Sequence, residues 1–285
     1  MKYNIDLTNN KIVSNLEYQL NENELYFKLN EDCHIEISIN GFTKQIKFEL
    51  SDNIKVNSTM TLSAGKSRIN YLLNKNSYLN EFVVVEHDKQ QIELIKHVKQ
   101  NDDSEYEVSN GFFSDSSIKC NVEVDLNGIN AKALHNIAVI ARQSDVKEFN
   151  IRINNNEKMT SGELNNFGVV KDKASLIFNG IGYIKNGATQ AKAHQESKII
   201  TFDPHVKAQA NPFLIIDEAD VEASHAAAVG KLDEEQIYYL QSRGITLEDA
   251  SRLITYGYLK PVLNKISDAV LKEKLEKLIE KKVGI

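Results

Sequence analysis

From about Glu24 to Leu232, apolar and polar residues alternate in short runs. Tyr26-Phe27-Lys28-Leu29, His34-Ile35-Glu36-Ile37-Ser38-Ile39, Gln45-Ile46-Lys47-Phe48 and Asn121-Val122-Glu123-Val124-Asp125-Leu126 put alternate side chains on opposite faces of an extended chain, which predicts strands. Asn-Gly pairs at 40–41, 110–111, 127–128, 179–180 and 186–187 punctuate them, and this dipeptide takes the positive φ that tight turns require. Glu107-Val108-Ser109-Asn110-Gly111, Val124-Asp125-Leu126-Asn127-Gly128 and Ser175-Leu176-Ile177-Phe178-Asn179-Gly180 share a strand-then-turn form. Their spacing is too irregular for a sequence repeat. Asn-Gly favours hairpins and hence an antiparallel sandwich, while many short, even strands favour a β-helix, so the pattern leaves both architectures open.

The pattern changes at Leu232. Asp233-Glu234-Glu235-Gln236 reads as an N-cap with a capping-box Gln at the third helical position, and Gly244 supplies a left-handed stop. Thr246-Leu247-Glu248-Asp249 opens a second predicted helix with an apolar stripe of Leu247, Ala250, Leu253 and Ile254, and Gly257 falls near its end. A third follows with Ser267 as cap and Leu271, Leu275 and Leu278 on one face, and Lys277, Lys281 and Lys282 suit the negative end of its dipole. The chain therefore divides into a β-rich body over residues 1–232 and a helical subdomain over 233–285. The first hundred residues divide less clearly: Leu72-Leu73 and the stretch around Tyr78 suit a short helix or an edge strand, whereas 82–85 and 92–95 look like two strands around a polar turn.

At 285 residues, with 41% hydrophobic and 26% charged residues, the composition is that of a folded globular protein rather than a disordered or fibrous one. A net charge of −6 has the wrong sign for broad phosphate-backbone binding, so no nucleic-acid partner is expected. The N-terminus carries no apolar run of signal-peptide length and no segment approaches the ~18 apolar residues of a membrane span, so a cytoplasmic protein is expected. No Walker loop, Gly-x-Gly-x-x-Gly turn, Gly-x-Ser-x-Gly elbow or His-Glu-x-x-His pair occurs, which leaves nucleotide binding and the commonest hydrolase chemistries unsupported.

Cys33 and Cys120 stand far apart and outside any Cys-x-x-Cys pair; both read as structural. None of the seven histidines lies within helical ligand spacing of another, although His87 and His97 have the spacing to share a sheet face. His225 has a different setting. In Val221-Glu222-Ala223-Ser224-His225-Ala226-Ala227-Ala228-Val229-Gly230, small neighbours leave the imidazole accessible, either as a neutral-nitrogen ligand for iron completed by a second subunit or as a capping or core histidine.

From about residue 145 onward the chain resembles the SufB/SufD family of iron–sulfur cluster assembly proteins. The resemblance rests on Thr160-Ser161-Gly162-Glu163-Leu164, Lys173 to Gly180, Ala193-His194-Gln195, Val221 to Gln236, and Tyr238-Tyr239-Leu240-Gln241-Ser242-Arg243-Gly244-Ile245. It implies a right-handed parallel β-helix followed by a small C-terminal α-helical subdomain, and so favours the β-helix over the sandwich. It also implies partners: the ATPase subunit SufC, docked through the C-terminal helices with Tyr238, Tyr239, Arg243, Gly244, Tyr256 and Pro261 as expected contacts, and SufB or a second copy of this chain, paired through the β-helix.

SufB-type members use a cysteine late in the β-helix and a glutamate after the shared histidine. The matching positions here are Ser197 and Ala226, whereas the histidine is kept as His225, the pattern of SufD-type members. The resemblance implies a non-enzymatic scaffold with no tightly bound cofactor, with His225 facing iron or a nascent iron–sulfur cluster at a subunit interface. Ser197 cannot accept persulfide sulfur as a thiolate would. Typical members are longer, with a larger N-terminal helical region, while this chain begins almost directly with strand-like sequence. Two competing classes are a β-helix that binds or acts on polysaccharide, against which the absence of Trp and the helical tail count, and a purely structural interaction module.

Overall fold

The computed structural model describes residues 1–85, 87–264 and 269–283. Strands β1 (Lys2–Thr8), β2 (Lys11–Ser14) and β3 (Gln19–Leu20) open the chain, and the rest wind into a parallel β-solenoid of about eight turns with two facing sheets. Sheet A holds β5 (Cys33–Asn40), the first half of β7 (Lys55–Leu73), β8 (Tyr78–Val85), β10 (Glu105–Phe112), β12 (Lys132–Ala141), β14 (Ser161–Val170), β16 (Ala191–Thr201) and β18 (Val221–Lys231). Sheet B holds β4 (Glu24–Leu29), β6 (Gln45–Leu50), the second half of β7, β9 (Gln91–Gln100), β11 (Ser117–Leu126), β13 (Val146–Asn155), β15 (Ser175–Ile184) and β17 (Lys207–Ile216).

Period-two alternation turns every second side chain of both sheets into one shared lumen. Aliphatic and aromatic residues stack there coil on coil, as in the Phe27–Phe48–Tyr71 column with ring centroids 5.1 and 5.2 Å apart. At the N-terminal end β1 pairs in parallel with β5, and its free edge is taken by the antiparallel β2, so this end is closed by a short hairpin.

A structural repeat lies in the corners. Asn53, Asn76, Asp103, Asn130, Met159 and Gln190 all have φ between 52° and 61°, one per coil. Each donates its backbone N–H to a carbonyl of the next coil, as in Asn76 to Asp102 at 2.9 Å and Asp103 to Ile129 at 2.9 Å. Two of the Asn-Gly pairs expected to turn instead lie inside strands, 110–111 in β10 and 179–180 in β15. Their glycines answer to close approach: a Cβ on Gly111 would stand 2.8 Å from Leu275 of a packed helix, and one on Gly180 2.6 Å from the Gln195 side-chain oxygen. Leu72-Leu73 ends β7 and Tyr78 begins β8, so the helical alternative for that stretch is not adopted.

Helix α1 (Glu234–Ser242) is capped by Asp233, whose side chain accepts from the Glu235 N–H rather than exchanging bonds with Gln236. It ends in a Schellman turn, with Gly244 at φ +87°, Gly244 N–H bonded to Gln241 and Ile245 N–H to Leu240. Thr246 caps α2 (Leu247–Leu263), which continues past Gly257 and carries Pro261 inside it. Pro261 has no N–H to offer the Gly257 carbonyl one turn earlier, a loss compensated here by burial of Leu259, Val262 and Leu263 around it. Helix α3 spans Ala269–Val283; its expected cap, Ser267, lies outside the described residues.

Helices α2 and α3 cover the outer face of sheet A. Leu259, Val262, Leu263, Leu275 and Ile279 pack on Phe82, Phe113, Ile140, Phe167, Val169 and Ile200 to form a second core outside the lumen. Sheet A is therefore apolar on both faces near the C-terminal ends of its strands.

Candidate functional site

The solenoid is closed at one end and open at the other. Strand β18 pairs only with β16, and β17 only with β15, among the described residues. In a parallel ladder successive residues address opposite neighbours. Lys207 donates to Ala174 and Asp217 to Ile184, so the even-numbered residues of β17 face the free edge, where Pro212 removes an N–H donor. Leu232 donates to Thr201, so in β18 the odd-numbered residues from Val221 to Lys231 present their backbone groups at the free edge, with no proline among them. Most of β18 is solvent-exposed, from Ser224 through Lys231 without interruption. A long, regular and unguarded edge is a template for strand addition.

His225 lies at the centre of that edge. Its register partner in β16 is Gln195, and the same ladder runs on through Leu164 and His135. These are lumen positions, so alternation places His225 on the lumen side at the open mouth. Ser224 lies on the outer face, where its hydroxyl and the Nδ1 of His194 are hydrogen-bonded at 2.8 Å. A shallow groove of about 430 Å³ runs along this edge, with Glu163, His194, Glu196 and Ser224 among its lining. Its charges are partly spent in ion pairs: Lys198 with Glu196 at 2.6 Å and, at its margin, Lys192 with Glu222 at 3.0 Å.

Ser197 is buried in the lumen one coil in from the mouth and accepts from Asn166 Nδ2 at 3.0 Å. Ala226 points to the outer face beside Ser224, so the two positions that match the SufB cysteine and glutamate fall on opposite faces of sheet A. Among the described residues no three His, Cys, Asp or Glu side chains stand together as a metal site.

The remaining candidates separate. Tyr238 and Tyr239 of α1 are 75% and 56% exposed, and the Arg243 guanidinium sits 5.2 Å from the Tyr239 ring centre, just before the Gly244 turn. Tyr256 faces inward between helices: its hydroxyl donates to Glu276 of α3 at 2.6 Å, which pushes its ionisation up to about 12. Pro261 lies a turn further on, at an exposed position of α2. Both cysteines are buried, and burial pushes the thiols up to about 11 for Cys33 and about 12 for Cys120, which suits inert core residues. His97 does not pair with His87. It bonds Asp125 at 2.7 Å on the outer face of sheet B and holds that carboxyl below its ordinary range.

Sequence reasoning missed a polar cluster deep in the lumen. Glu81 accepts from Lys96 at 2.5 Å, Tyr106 at 2.7 Å and Tyr71 at 2.9 Å, all four residues being almost wholly buried. A glutamate beside the apolar run Phe82-Val83-Val84-Val85 was the available signal.

The family model for the SufBD core domain of SUF-system iron–sulfur cluster assembly matches residues 44–258, about three quarters of the chain. The chain belongs to the SufB/SufD family. Curated relatives include the iron–sulfur cluster assembly protein SufD of Bacillus subtilis, 40% identical over 181 residues, and that of Escherichia coli, 27% identical over 158 residues. A SufBD family protein of Pyrococcus horikoshii is 34% identical over 114 residues. These matches cover 64%, 55% and 39% of this SufBD-family chain, and 41%, 37% and 24% of the respective relatives, so the chain spans less than half the length of each. No helix among the described residues is long and apolar enough to cross a membrane.

Proposed function

We propose that this chain is a SufD-type scaffold subunit of a SufBCD assembly in the cytoplasm, with no catalytic chemistry of its own. The observation that carries the reading is the unguarded edge of β18 with His225 at its centre. A partner β-helix, SufB or a second copy, adds a strand there and brings its own ligands against His225, and iron or the growing cluster is cargo at that junction. The family membership and the SufD-type pattern of His225 with Ser197 and Ala226 support the same assignment.

Helix α1 is the proposed SufC dock. It buries none of its residues, yet it displays two tyrosines, with Arg243 at its C-cap, side chains that favour interfaces. Because α2 and α3 pack on sheet A, and β18 is the last strand of that sheet, movement of the helices when SufC binds and hydrolyses ATP is carried to the edge that holds His225. The test is capture by SufC of the chain and of a Tyr238→Ala/Tyr239→Ala variant. A folded variant that loses SufC binding at least tenfold supports the dock, and undiminished binding overturns it.

A further inference from the structure

The outer face of sheet B carries a ladder of asparagines that runs to the open end. Asn121, Asn150, Asn179 and Asn211 are register neighbours on β11, β13, β15 and β17. Each of the last three donates through Nδ2 to the Oδ1 of the asparagine one coil earlier: Asn150 to Asn121 at 3.0 Å, Asn179 to Asn150 at 2.7 Å and Asn211 to Asn179 at 2.9 Å. A row of amides can run in either direction, and here one carboxylate sets it. Glu148 Oε1 accepts from Asn150 Nδ2 at 2.8 Å, and an ionised carboxylate has no hydrogen to offer, so the Asn150 oxygen is turned toward β15. The later amides follow, and their dipoles align head to tail.

The ladder therefore ends on an acceptor. Asn211 spends its nitrogen on Asn179, which turns its Oδ1 toward the free edge of β17, where no donor among the described residues reaches it. Pro212, the next residue, has its carbonyl at the same edge and no N–H beside it. The middle of this edge thus offers acceptors only. Phe213, two residues on from Asn211 and on the same outer face by alternation, is 55% exposed.

We propose that the end of the ladder receives an arginine of the partner β-helix, its guanidinium donating to Asn211 Oδ1 and the Pro212 carbonyl and lying against the Phe213 ring. Arginine has several N–H donors in one plane, no acceptor, and a favourable fit to aromatic faces. An added backbone strand suits this part of the edge poorly, because Pro212 cannot answer its carbonyls. A second copy suits it no better, since an isologous pairing of β17 with β17 sets acceptor against acceptor, so the occupant is a different chain. That occupant rests on the reading that a partner β-helix covers the open end; the direction of the ladder does not.

The experiment measures SufB binding to the full chain in complex with SufC, with thermal unfolding as the check on folding. Asn211→Leu, which removes the acceptor, weakens binding about tenfold or more, whereas Asn211→Asp, which keeps acceptor oxygens, holds it within about threefold. Glu148→Met, two strands in from the edge, frees the ladder to reverse and weakens binding about threefold with Asn211 itself intact. Undiminished binding in Asn211→Leu, an equal loss in Asn211→Asp, or an unaffected Glu148→Met overturns the proposal. Self-association of the chain alone that Asn211→Leu abolishes overturns the choice of occupant. Ala227→Lys, on the other sheet, separates this site from the edge of β18. If the lysine blocks SufB while Asn211→Leu does not, the β18 edge stands and the arginine site falls. If SufB tolerates the lysine but is lost with Asn211→Leu, the arginine site stands and strand addition at β18 falls.

Discussion

Removing the Glu81 carboxylate tests how the lumen tolerates charge. Glu81 on β8 and Lys96 on β9 reach across the same coil, and the carboxylate takes Lys96, Tyr71 and Tyr106 as donors. In Glu81→Met the ammonium and both hydroxyls stay buried without their acceptor, and loss of one partner of a buried ion pair costs about 3–5 kcal/mol. Replacing the whole group, with Glu81→Met, Lys96→Met, Tyr71→Phe and Tyr106→Phe together, leaves no unpaired polar atom of the cluster and recovers most of that loss. Urea unfolding followed by far-UV circular dichroism gives the energies. Amide hydrogen exchange gives the location, because a solenoid coil contacts only its neighbours and the loss is expected in β8, β9 and β10 rather than β16 and β18. A single variant costing under about 1 kcal/mol, or a fourfold variant less stable than the single one, would refute this reasoning.

Two more outcomes follow from the same geometry. Burial, aided by the Lys96 charge, lowers the ionisation of His135 to about 3, so the folded protein keeps it neutral where the unfolded chain, near 6.5, takes up a proton. Its contribution is whole above about pH 6.5 and is lost progressively toward about pH 3, at roughly 1.4 kcal/mol per unit. His135→Leu should therefore lose about 2 kcal/mol less than wild type between pH 7 and pH 5, and equal acid sensitivity in denaturant titrations would contradict the assignment. Leu275, fully buried against the outer face of sheet A, should cost about 2–5 kcal/mol when cut to alanine. A loss below about 1 kcal/mol would mean that α3 does not pack on the sheet as described.

Strands with one wet face were legible, because alternation in segments such as Asn121 to Leu126 records lumen against solvent directly. Segments such as Ile137 to Ala141 and Phe167 to Val170 lose that period near their ends, where helices cover the outer face and every position is buried. The coil repeat was hidden for another reason. Its corner conformation is adopted by Asn, Asp, Met and Gln in turn, so the feature that recurs is a backbone angle and a hydrogen bond rather than a residue type. Asn-Gly misled where glycine answers to space: at 111 it admits Leu275, and at 180 it admits the Gln195 amide.

His225 was visible through its small neighbours and its place in the family pattern. Gln195 was visible only as part of a motif, since its bond to the Phe213 carbonyl across the lumen depends on space left by glycines 13 and 15 positions away in sequence. Tyr256, grouped by sequence with the exposed tyrosines, is half turned inward to join α2 to α3.

The free edge of β18 is tested most directly by the mass, from size exclusion with light scattering, of the chain mixed with SufC alone and with SufC and SufB, in wild type and in Ala227→Lys. Ala227 is exposed at the open mouth, on the lumen side like His225, so the lysine adds charge to the surface that an added strand would cover. The account predicts that SufC binds both chains, while SufB, or a second copy when SufB is absent, joins only the wild type. Equal assembly of Ala227→Lys, or no assembly of the wild type with either partner, would contradict it.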